Sequence, residues 1–322
     1  MFKLKTSKQV MMSALLMLSF LMPINVQATV NNESFSNHYD QFYSSHREEL
    51  SFTLFYGYGF KTNQVLTESD VDLDLMSDYA LLVNLTTNEV IYEKNAYERT
   101  YPASLTKMMT VLVGIEHMKD EEIIIDVDYQ ALAAEGAAIA GFSNGEVVSY
   151  KDLLYGTMLP SGADAALMLA KVVAGSEEGF VALMNEKAKQ LGMKDTHFTN
   201  VVGLHDDEHY STAWDLAMLE KAALHNEMFR EIFSAKSYTT DSANDLTFTS
   251  RMFDRMASPI FDGGEVLGGK TGYTEEAALC LASYATDGDN EYLLITTHAK
   301  GSPYTPQYHV LDALSAYDYF LN

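Results

Sequence analysis

The chain of 322 residues is strongly acidic, with 21 lysines and arginines against 45 aspartates and glutamates and a formal net charge of −24. Hydrophobic residues make up 47% of it, which is ordinary for a protein with a real core, so most of the chain is expected to be globular. Phosphate binding needs clustered lysines and arginines. The charge therefore argues against a nucleic-acid partner and against docking on an anionic membrane surface.

The first 28 residues have the pattern of a secretory signal peptide. Three lysines precede an apolar run from Val10 to Pro23, and Val26 and Ala28 stand at the cleavage-site positions. The run is shorter than the ~20 apolar residues that usually span a membrane. We therefore predict export with cleavage after Ala28, and an uncleaved N-terminal anchor is the alternative.

The chain has one cysteine, Cys280, within the apolar stretch "AALCLASYA". A lone cysteine cannot form an internal disulfide, and its apolar neighbours predict a buried, unreactive strand residue. An exported chain without disulfides must be held together by its hydrophobic core.

The regular elements are predicted to begin near residue 79. Two strands joined by a turn are expected at 79–85 and 89–95, followed by a densely apolar, mostly buried helix from Ser104 to about Met118. A short strand at 121–127 then leads into helices at about 150–158, 163–174, 177–191 and 214–226. After Ser237 the pattern returns to strands, at 266–274, 278–285 and 291–299, and a helix within 303–321 closes the chain.

This order of strands, helices, strands and a final helix predicts an α+β fold with a sheet covered by helices in one continuous domain. We assign residues 1–28 to the signal peptide and residues 71–322 to the globular domain. Residues 29–70 are irregular, polar and rich in aromatics, so they are interpreted as an N-terminal extension or linker that is partly packed on the domain.

Ser104 and Lys107 stand three residues apart at the start of the predicted helix, in "YPASLTKMMT". Positions i and i+3 lie on one helix face, with roughly 5–6 Å between their Cβ atoms. Serine is a poor nucleophile until a base takes its proton, and a lysine in apolar surroundings has a lowered pKa that lets it be this base. The pair alone is a weak signal, because a surface helix with an ordinary lysine has the same spacing.

Two further motifs supply hydroxyl groups and a cation. In "LPSGADAA", Ser161 precedes a glycine turn and a new helix, so its hydroxyl is expected on a tight loop between two helices. In "GGKTG", residues 268–272, Lys270 is expected to supply a fixed positive charge and Thr271 a hydroxyl from a strand. A strand edge that carries a lysine suits an extended peptide ending in a carboxylate.

In this order, the three motifs and the sequence around them resemble the penicillin-binding D-alanyl-D-alanine carboxypeptidases, low-molecular-weight relatives of the serine β-lactamases. The stretches that carry the resemblance are "YPASLTKMMT", "MLPSGADAA", "FTNVVGLHDDEHYSTA" and "GGKTGYTEEAALCL", and it covers about residues 71–322. It implies a β-lactamase/transpeptidase-like fold, in which an antiparallel sheet is covered by helices and a helical subdomain lies between the strands. It also implies peptidoglycan stem peptides as partners, β-lactam antibiotics as covalent inhibitors, and no metal or other cofactor.

The resemblance implies catalytic roles for three side chains. Ser104 would be the acylated nucleophile and Lys107 its general base. Ser161 would relay a proton to the leaving D-alanine, and water would then hydrolyse the acyl-enzyme.

The same resemblance implies a substrate-binding strand. Lys270 and Thr271 would hold the terminal carboxylate of the substrate or of penicillin, and Gly272 and Tyr273 would line the strand beside them. The backbone amides of Ser104 and Tyr273 would form the oxyanion hole.

Ala163 departs from the family pattern, whose second motif is usually Ser-x-Asn. The missing amide would have positioned the base lysine and the substrate backbone, and losing a polar contact that strengthens in the transition state costs about 10²–10³ in rate. This departure keeps open a function of another class, a non-catalytic or very slow peptidoglycan- and penicillin-binding protein. The literal Ser-Ala-Asn at 242–244 is interpreted as unrelated, because it follows the helical region.

Two other enzymatic interpretations are weaker. A β-lactamase would need a base for deacylation, in class A enzymes a glutamate between the second and third motifs, and no convincing Glu-x-x-x-Asn stands there. His205 and His209, in "GLHDDEHYST", could suggest zinc. Their segment looks like a loop, however, and matches a structural loop of the serine family.

The predicted location follows from the signal and the resemblance together. An exported enzyme of this kind would work on the cell-wall side of a bacterial membrane. Many relatives add a β-rich C-terminal domain and an amphipathic membrane helix, and the sequence contains neither pattern, so a C-terminal membrane anchor is not expected.

Overall fold

The computed structural model describes residues 59–119, 122–127, 132–133, 136–241 and 245–321. The predicted signal peptide, most of the predicted extension and the Ser-Ala-Asn at 242–244 lie outside the described residues. No described helix combines the length and apolar character that crossing a membrane requires.

A six-stranded antiparallel sheet forms the centre of the fold. Its strands are β1 (Ser77–Asn84), β2 (Glu89–Lys94), β7 (Ile260–Phe261), β8 (Gly264–Thr274), β9 (Ala278–Thr286) and β10 (Glu291–Ala299), in the order β2-β1-β10-β9-β8-β7. Because β1 pairs with β10, strands from the two ends of the described chain meet in one sheet. The predicted antiparallel sheet is confirmed.

The helices and two small hairpins lie mostly between β2 and β7 in the chain. The helices are α1 (Thr106–Glu116), α2 (Tyr150–Met158), α3 (Ala163–Ala174), α4 (Glu177–Gln190), α5 (Ala213–Leu224), α6 (Glu227–Ser234) and, after the last strand, α7 (Tyr308–Phe320). The hairpins pair β3 (Glu122–Ile124) with β4 (Val147–Ser149) and β5 (Ser237–Thr239) with β6 (Thr247–Thr249). The predicted helical subdomain between the strands is therefore present, and the α+β class is confirmed.

The alternation of side chains along the strands divides the core into two layers. Leu81 and Val83 of β1 belong to the core shared with α1–α6. Ala80 and Leu82 point to the other face and belong to the core shared with α7. Both faces of the central strands are thus buried, which explains why their sequences are nearly continuous apolar runs.

Helix α1 is buried along most of its length. Residues 106–114 are all buried, so the helix has no exposed polar face over that stretch. This confirms the prediction of a helix buried on most sides, and it forces Lys107 into the interior with its apolar neighbours.

Part of the predicted extension packs against the sheet. The Lys61 N–H donates to the carbonyl of Asn88 at 2.8 Å, and the Leu66 N–H donates to the carbonyl of Ile91 at 2.9 Å. The ring of Phe60 contacts the ring of Trp214 edge-on, with 5.3 Å between centroids. Residues 60–66 therefore cover the outer edge of β2.

Candidate active site

Ser104 lies in a 3₁₀ turn, Ala103–Leu105, that leads directly into α1. The Nζ atom of Lys107, in the first turn of α1, is 3.2 Å from Oγ of Ser104. Ala103 has a φ of 46°, a left-handed conformation that is costly for a residue with a Cβ. The chain thus places backbone strain immediately before the serine, at a position that the sequence analysis did not single out.

Lys107 is held in a dry environment that favours its neutral form. The side chain is 2% exposed, and Nζ also donates a hydrogen bond to the carbonyl oxygen of Val202 at 2.6 Å. Burial lowers the pKa of Lys107 to about 7, helped by the positive charge of Arg251 and opposed by Asp164. Near neutral pH a large fraction of this amine is unprotonated and able to accept a proton.

Ser161 lies in the turn between α2 and α3, as predicted, with a φ of 65°. Its Oγ accepts a hydrogen bond from Nζ of Lys270 at 3.0 Å. The next residue must be small, because a Cβ at Gly162 would lie 2.7 Å from the carbonyl oxygen of Gly156. The turn therefore brings the hydroxyl group of Ser161 into contact with Lys270 of β8, although the two residues are 109 positions apart in the sequence.

Ala163 begins α3 directly beside this turn. Its backbone N–H donates to the carbonyl of Ala138 at 2.8 Å, and the residue is 1% exposed. The following residue, Asp164, accepts hydrogen bonds from the backbone N–H groups of Ala140 and Gly141, which fixes the preceding loop over the start of α3. The methyl group of Ala163 offers no polar contact to Lys107, and in this structure Val202 makes that contact.

Strand β8 carries Lys270, Thr271, Gly272 and Tyr273 past the serine turn. Gly272 lies so close that a Cβ there would be 3.0 Å from the backbone nitrogen of Ser104. Any larger side chain would push the strand and the turn apart. Strand β8 and the serine turn are therefore in direct contact, as an oxyanion hole formed by both would require.

Lys270 is buried and sits among other cations. It is 2% exposed, and its Nζ also donates to the carbonyl oxygen of Thr271 at 2.7 Å. Burial, together with the charges of Lys107, Arg251 and Arg255, holds the pKa of Lys270 well below its usual value. The role of Lys270 as a positive charge stays a prediction, and an anion bound beside Nζ would favour its protonated form.

These residues surround a cleft of about 300 Å³. Its lining includes Ser104, Lys107, Ser161, Ala163, Thr271, Gly272 and Tyr273, and Lys270 reaches it through its contact with Ser161. A larger hollow of about 600 Å³ beside β3 and α3 contains none of these side chains. The motifs that are far apart in the sequence therefore converge on one cleft.

Arg251 and Arg255 also line the cleft, and the sequence analysis missed both. One guanidinium nitrogen of Arg255 lies 3.4 Å from Oγ of Thr271. Burial lowers the pKa of each arginine, as expected for charges packed together away from water. The only signal in the sequence is a pair of cations four residues apart in a chain that has few cations.

His205 and His209 do not form a metal-binding pair. Nδ1 of His209 accepts a hydrogen bond from the backbone N–H of Thr199 at 3.0 Å, and Nε2 lies 2.7 Å from Oγ1 of Thr106. Both nitrogens of His209 are therefore used within the fold, whereas the ring of His205 packs edge-on against Tyr101. Within the part of the chain that the structure describes, no group of three or more histidine, cysteine, aspartate or glutamate side chains is arranged to hold a metal ion.

Comparisons with known proteins show the family of the chain. The family model Peptidase_S11, D-alanyl-D-alanine carboxypeptidase, matches residues 62–301. The chain is 37% identical over 219 residues to the D-alanyl-D-alanine carboxypeptidase DacF of Bacillus subtilis, which covers 65% of this chain and 54% of that protein. It is 32% identical to the D-alanyl-D-alanine carboxypeptidase of Streptomyces sp. strain K15, covering 64% of this chain and 75% of the relative.

Solved structures show the same fold. The Streptomyces K15 DD-transpeptidase superposes with a TM-score of 0.68 at 26% identity, covering 77% of this chain and 98% of that one. The D-alanyl-D-alanine carboxypeptidase of Mycobacterium tuberculosis H37Rv gives a TM-score of 0.66 at 27% identity, covering 77% and 92%. The predicted β-lactamase/transpeptidase-like fold is confirmed. The chain spans a little over half the length of DacF and similar curated relatives.

Proposed function

The chain belongs to the D-alanyl-D-alanine carboxypeptidase family, and on that premise we propose that it is a serine carboxypeptidase that removes the terminal D-alanine from peptidoglycan stem pentapeptides. The observation that carries the proposal is the 3.2 Å contact between Oγ of Ser104 and Nζ of the buried Lys107, inside a cleft that Thr271 also lines. Penicillins would acylate the same serine.

Acylation would begin with proton transfer from Ser104 to the neutral amine of Lys107. The serine Oγ would then attack the carbonyl carbon of the peptide bond between the two D-alanines. The backbone N–H groups of Ser104 and Tyr273 would hold the negative charge that develops on the carbonyl oxygen. The close approach of Gly272 to the serine turn supports this role, because it brings β8 to the reacting carbonyl.

Departure of D-alanine would require a proton on its nitrogen. Lys107 would return the proton taken from Ser104, and Ser161 would relay it to the leaving amine. Hydrolysis of the ester on Ser104 by water would then release the shortened stem and restore the free serine.

The terminal carboxylate of the substrate would bind at the cationic side of the cleft. Thr271 and Arg255 are already in contact there, and Lys270 and Arg251 add positive charge beside them. Burial, and next to it the charges of Lys107, Arg251 and Arg255, lower the pKa of Lys270, so a bound carboxylate would offset that repulsion. Binding and the protonation of Lys270 would thus reinforce each other.

The proposed partners follow from this chemistry. They are peptidoglycan stem peptides as substrates and β-lactams as covalent inhibitors, with no cofactor in any step. The predicted signal peptide supports work on the cell-wall side of a bacterial membrane.

The test follows D-alanine released from a peptide ending in D-Ala-D-Ala, using protein without residues 1–28. Release is expected for the natural sequence and for the control Ser69→Ala, which changes an exposed serine, and it should vanish in Ser104→Ala. Penicillin labelling of Ser104 without D-alanine release would favour the slow or non-catalytic binder. Rapid turnover of penicillin itself would favour a β-lactamase.

A further inference from the structure

Asn200 organises the loop between α4 and α5. Its side-chain oxygen accepts hydrogen bonds from three consecutive backbone N–H groups, those of Val202 at 3.2 Å, Gly203 at 2.7 Å and Leu204 at 3.1 Å. Its side-chain nitrogen donates to the carbonyl oxygen of Leu204 at 2.9 Å. A single side chain thus sets the backbone conformation of residues 202–204.

The turn that Asn200 holds lies against both members of the catalytic pair. The carbonyl oxygen of Val202 is 2.6 Å from Nζ of Lys107, closer than Oγ of Ser104. Gly203 has a φ of 80°, and a Cβ there would lie 1.9 Å from the carbonyl oxygen of Ala103. A shift of this turn would therefore move the partner of the lysine and press on the residue before the serine.

We propose that Asn200 is a positioning residue for Lys107, acting through the carbonyl of Val202, and that this contact supplies the orientation that Ala163 cannot give. The inference rests on the proposed function, in which Lys107 is the base for Ser104.

The chemistry of a neutral amine explains why one acceptor suffices. An unprotonated lysine has two N–H bonds and one lone pair, and the lone pair must face the serine hydroxyl to take its proton. The bond to the Val202 carbonyl fixes rotation about the Cε–Nζ bond, which leaves the lone pair free for Ser104. Without that bond Nζ would sample other rotamers, and misplacement by about 1 Å can cost about 10²-fold in rate.

The matched control is another asparagine that holds loop backbone. Asn185 accepts from the N–H of Phe198 at 2.9 Å and donates to the carbonyl of Phe198 at 2.8 Å, but it bonds to none of residues 202–204. Asn185→Ala therefore removes bonds of the same kind from the same loop without releasing Val202. It should lower the melting temperature and leave the pH dependence of acylation unchanged.

Two measurements on each variant test the proposal. One is the rate constant for acylation by penicillin across pH, and the other is the titration of Lys107 by NMR of ¹³C-labelled lysine. Asn200→Ala should slow acylation by about 10²-fold. It should also shift the Lys107 titration to lower pH, because the Val202 carbonyl favours the ammonium form. Asn200→Asp should restore most of the rate, since a carboxylate can still accept the three N–H groups.

Several results would overturn the proposal. It fails if folded Asn200→Ala keeps the natural rate and Lys107 titration, or if Asn185→Ala shifts that titration equally. Asn200→Ser, whose short hydroxyl cannot span three N–H groups, replaces Asn200→Ala if that variant does not fold. Failure of the proposed function would instead appear as natural protein that neither reacts with penicillin nor releases D-alanine, and the NMR titration decides the role of Asn200 even then.

Discussion

The amine of Lys107 lies 3.2 Å from the hydroxyl of Ser104, and burial lowers the pKa of that amine to about 7. Because only the neutral amine can take the serine proton, acylation by penicillin should rise with pH through about 7 and level off above it. The second-order rate constant measured from about pH 5 to about pH 9 checks this. A lysine with an ordinary pKa would give a rate still rising at the upper end.

A control variant separates the lysine from other titrating groups. Lys107→Arg keeps a positive charge but cannot act as a base, so it should lose about 10²–10⁴-fold in rate at every pH. If the acylation rate of this variant still rises with pH near neutrality, another group is responsible for the pH dependence, and the assignment of Lys107 as the base is wrong.

The strands and long helices could be predicted from the sequence because their signals are local. The apolar runs of β9 and β10, separated by "TDGDN", and the dense apolar pattern of α1 determined their bounds to within a few residues. Helix α6 was missed although Asn226 caps it and Phe229 and Ile232 have helical spacing. It is only eight residues long and follows α5 almost without a break, so its pattern merged with that of its neighbour.

The candidate site could be predicted only where it is made of side-chain motifs. Ser104 and Lys107 are read from their spacing, and the structure places them in contact. The carbonyl of Val202 and the arginines Arg251 and Arg255 could not be found in this way. Every residue has a backbone carbonyl, so the sequence does not indicate that the one of Val202 contacts Lys107. The arginines lie at the cleft only because the segment before β7 folds back onto β8.

Arg255 should contribute to recognition of the substrate carboxylate, because its guanidinium contacts Thr271 at the cationic side of the cleft. A hydrogen bond to a charged group contributes about 1.5–3 kcal/mol. Arg255→Ala should therefore lower kcat/KM for a peptide ending in D-Ala-D-Ala by about 10–100-fold. Steady-state kinetics on that peptide and on its C-terminal amide check this, and an equal loss on both substrates would exclude carboxylate recognition.

Ala163→Asn should not speed the proposed acylation of Ser104. Ala163 is 1% exposed where it lines the cleft, it lies beside the loop that Asp164 holds, and Lys107 already bonds to the carbonyl of Val202. Extra atoms in such a packed place typically cost about 1–3 kcal/mol of stability. We expect a lower melting temperature and no faster acylation. A tenfold gain in rate would show instead that alanine here is a catalytic defect.

Glu220 on α5 is fully buried, and its carboxylate oxygens have no hydrogen-bond partner among the described residues. Burial raises the pKa of Glu220 well above its usual value. The native state therefore keeps a proton that the unfolded state loses above about pH 4.5, so stability falls as pH rises, by up to about 1.4 kcal/mol per pH unit.

Replacing this carboxyl group should remove that penalty. Glu220→Gln should match the natural protein near pH 4 and become increasingly more stable toward pH 8, as measured by denaturant unfolding at each pH. Glu227→Gln, which changes an exposed glutamate in the first turn of α6, serves as the control. If the free energy of unfolding of Glu220→Gln and of the natural protein changed with pH in the same way, the carboxyl group of Glu220 would not be the source of the predicted loss of stability.

The cationic cleft in a strongly acidic chain has a consequence for how ionic strength acts. At physiological salt the Debye length is about 8 Å, so the net charge of −24 would repel an anionic polymer at a distance, whereas Arg251 and Arg255 would attract a carboxylate only once it is inside the cleft. Adding salt should speed the approach of large anionic wall fragments and weaken the capture of short peptides. Added salt should therefore favour the reaction of large anionic fragments and disfavour that of short peptides.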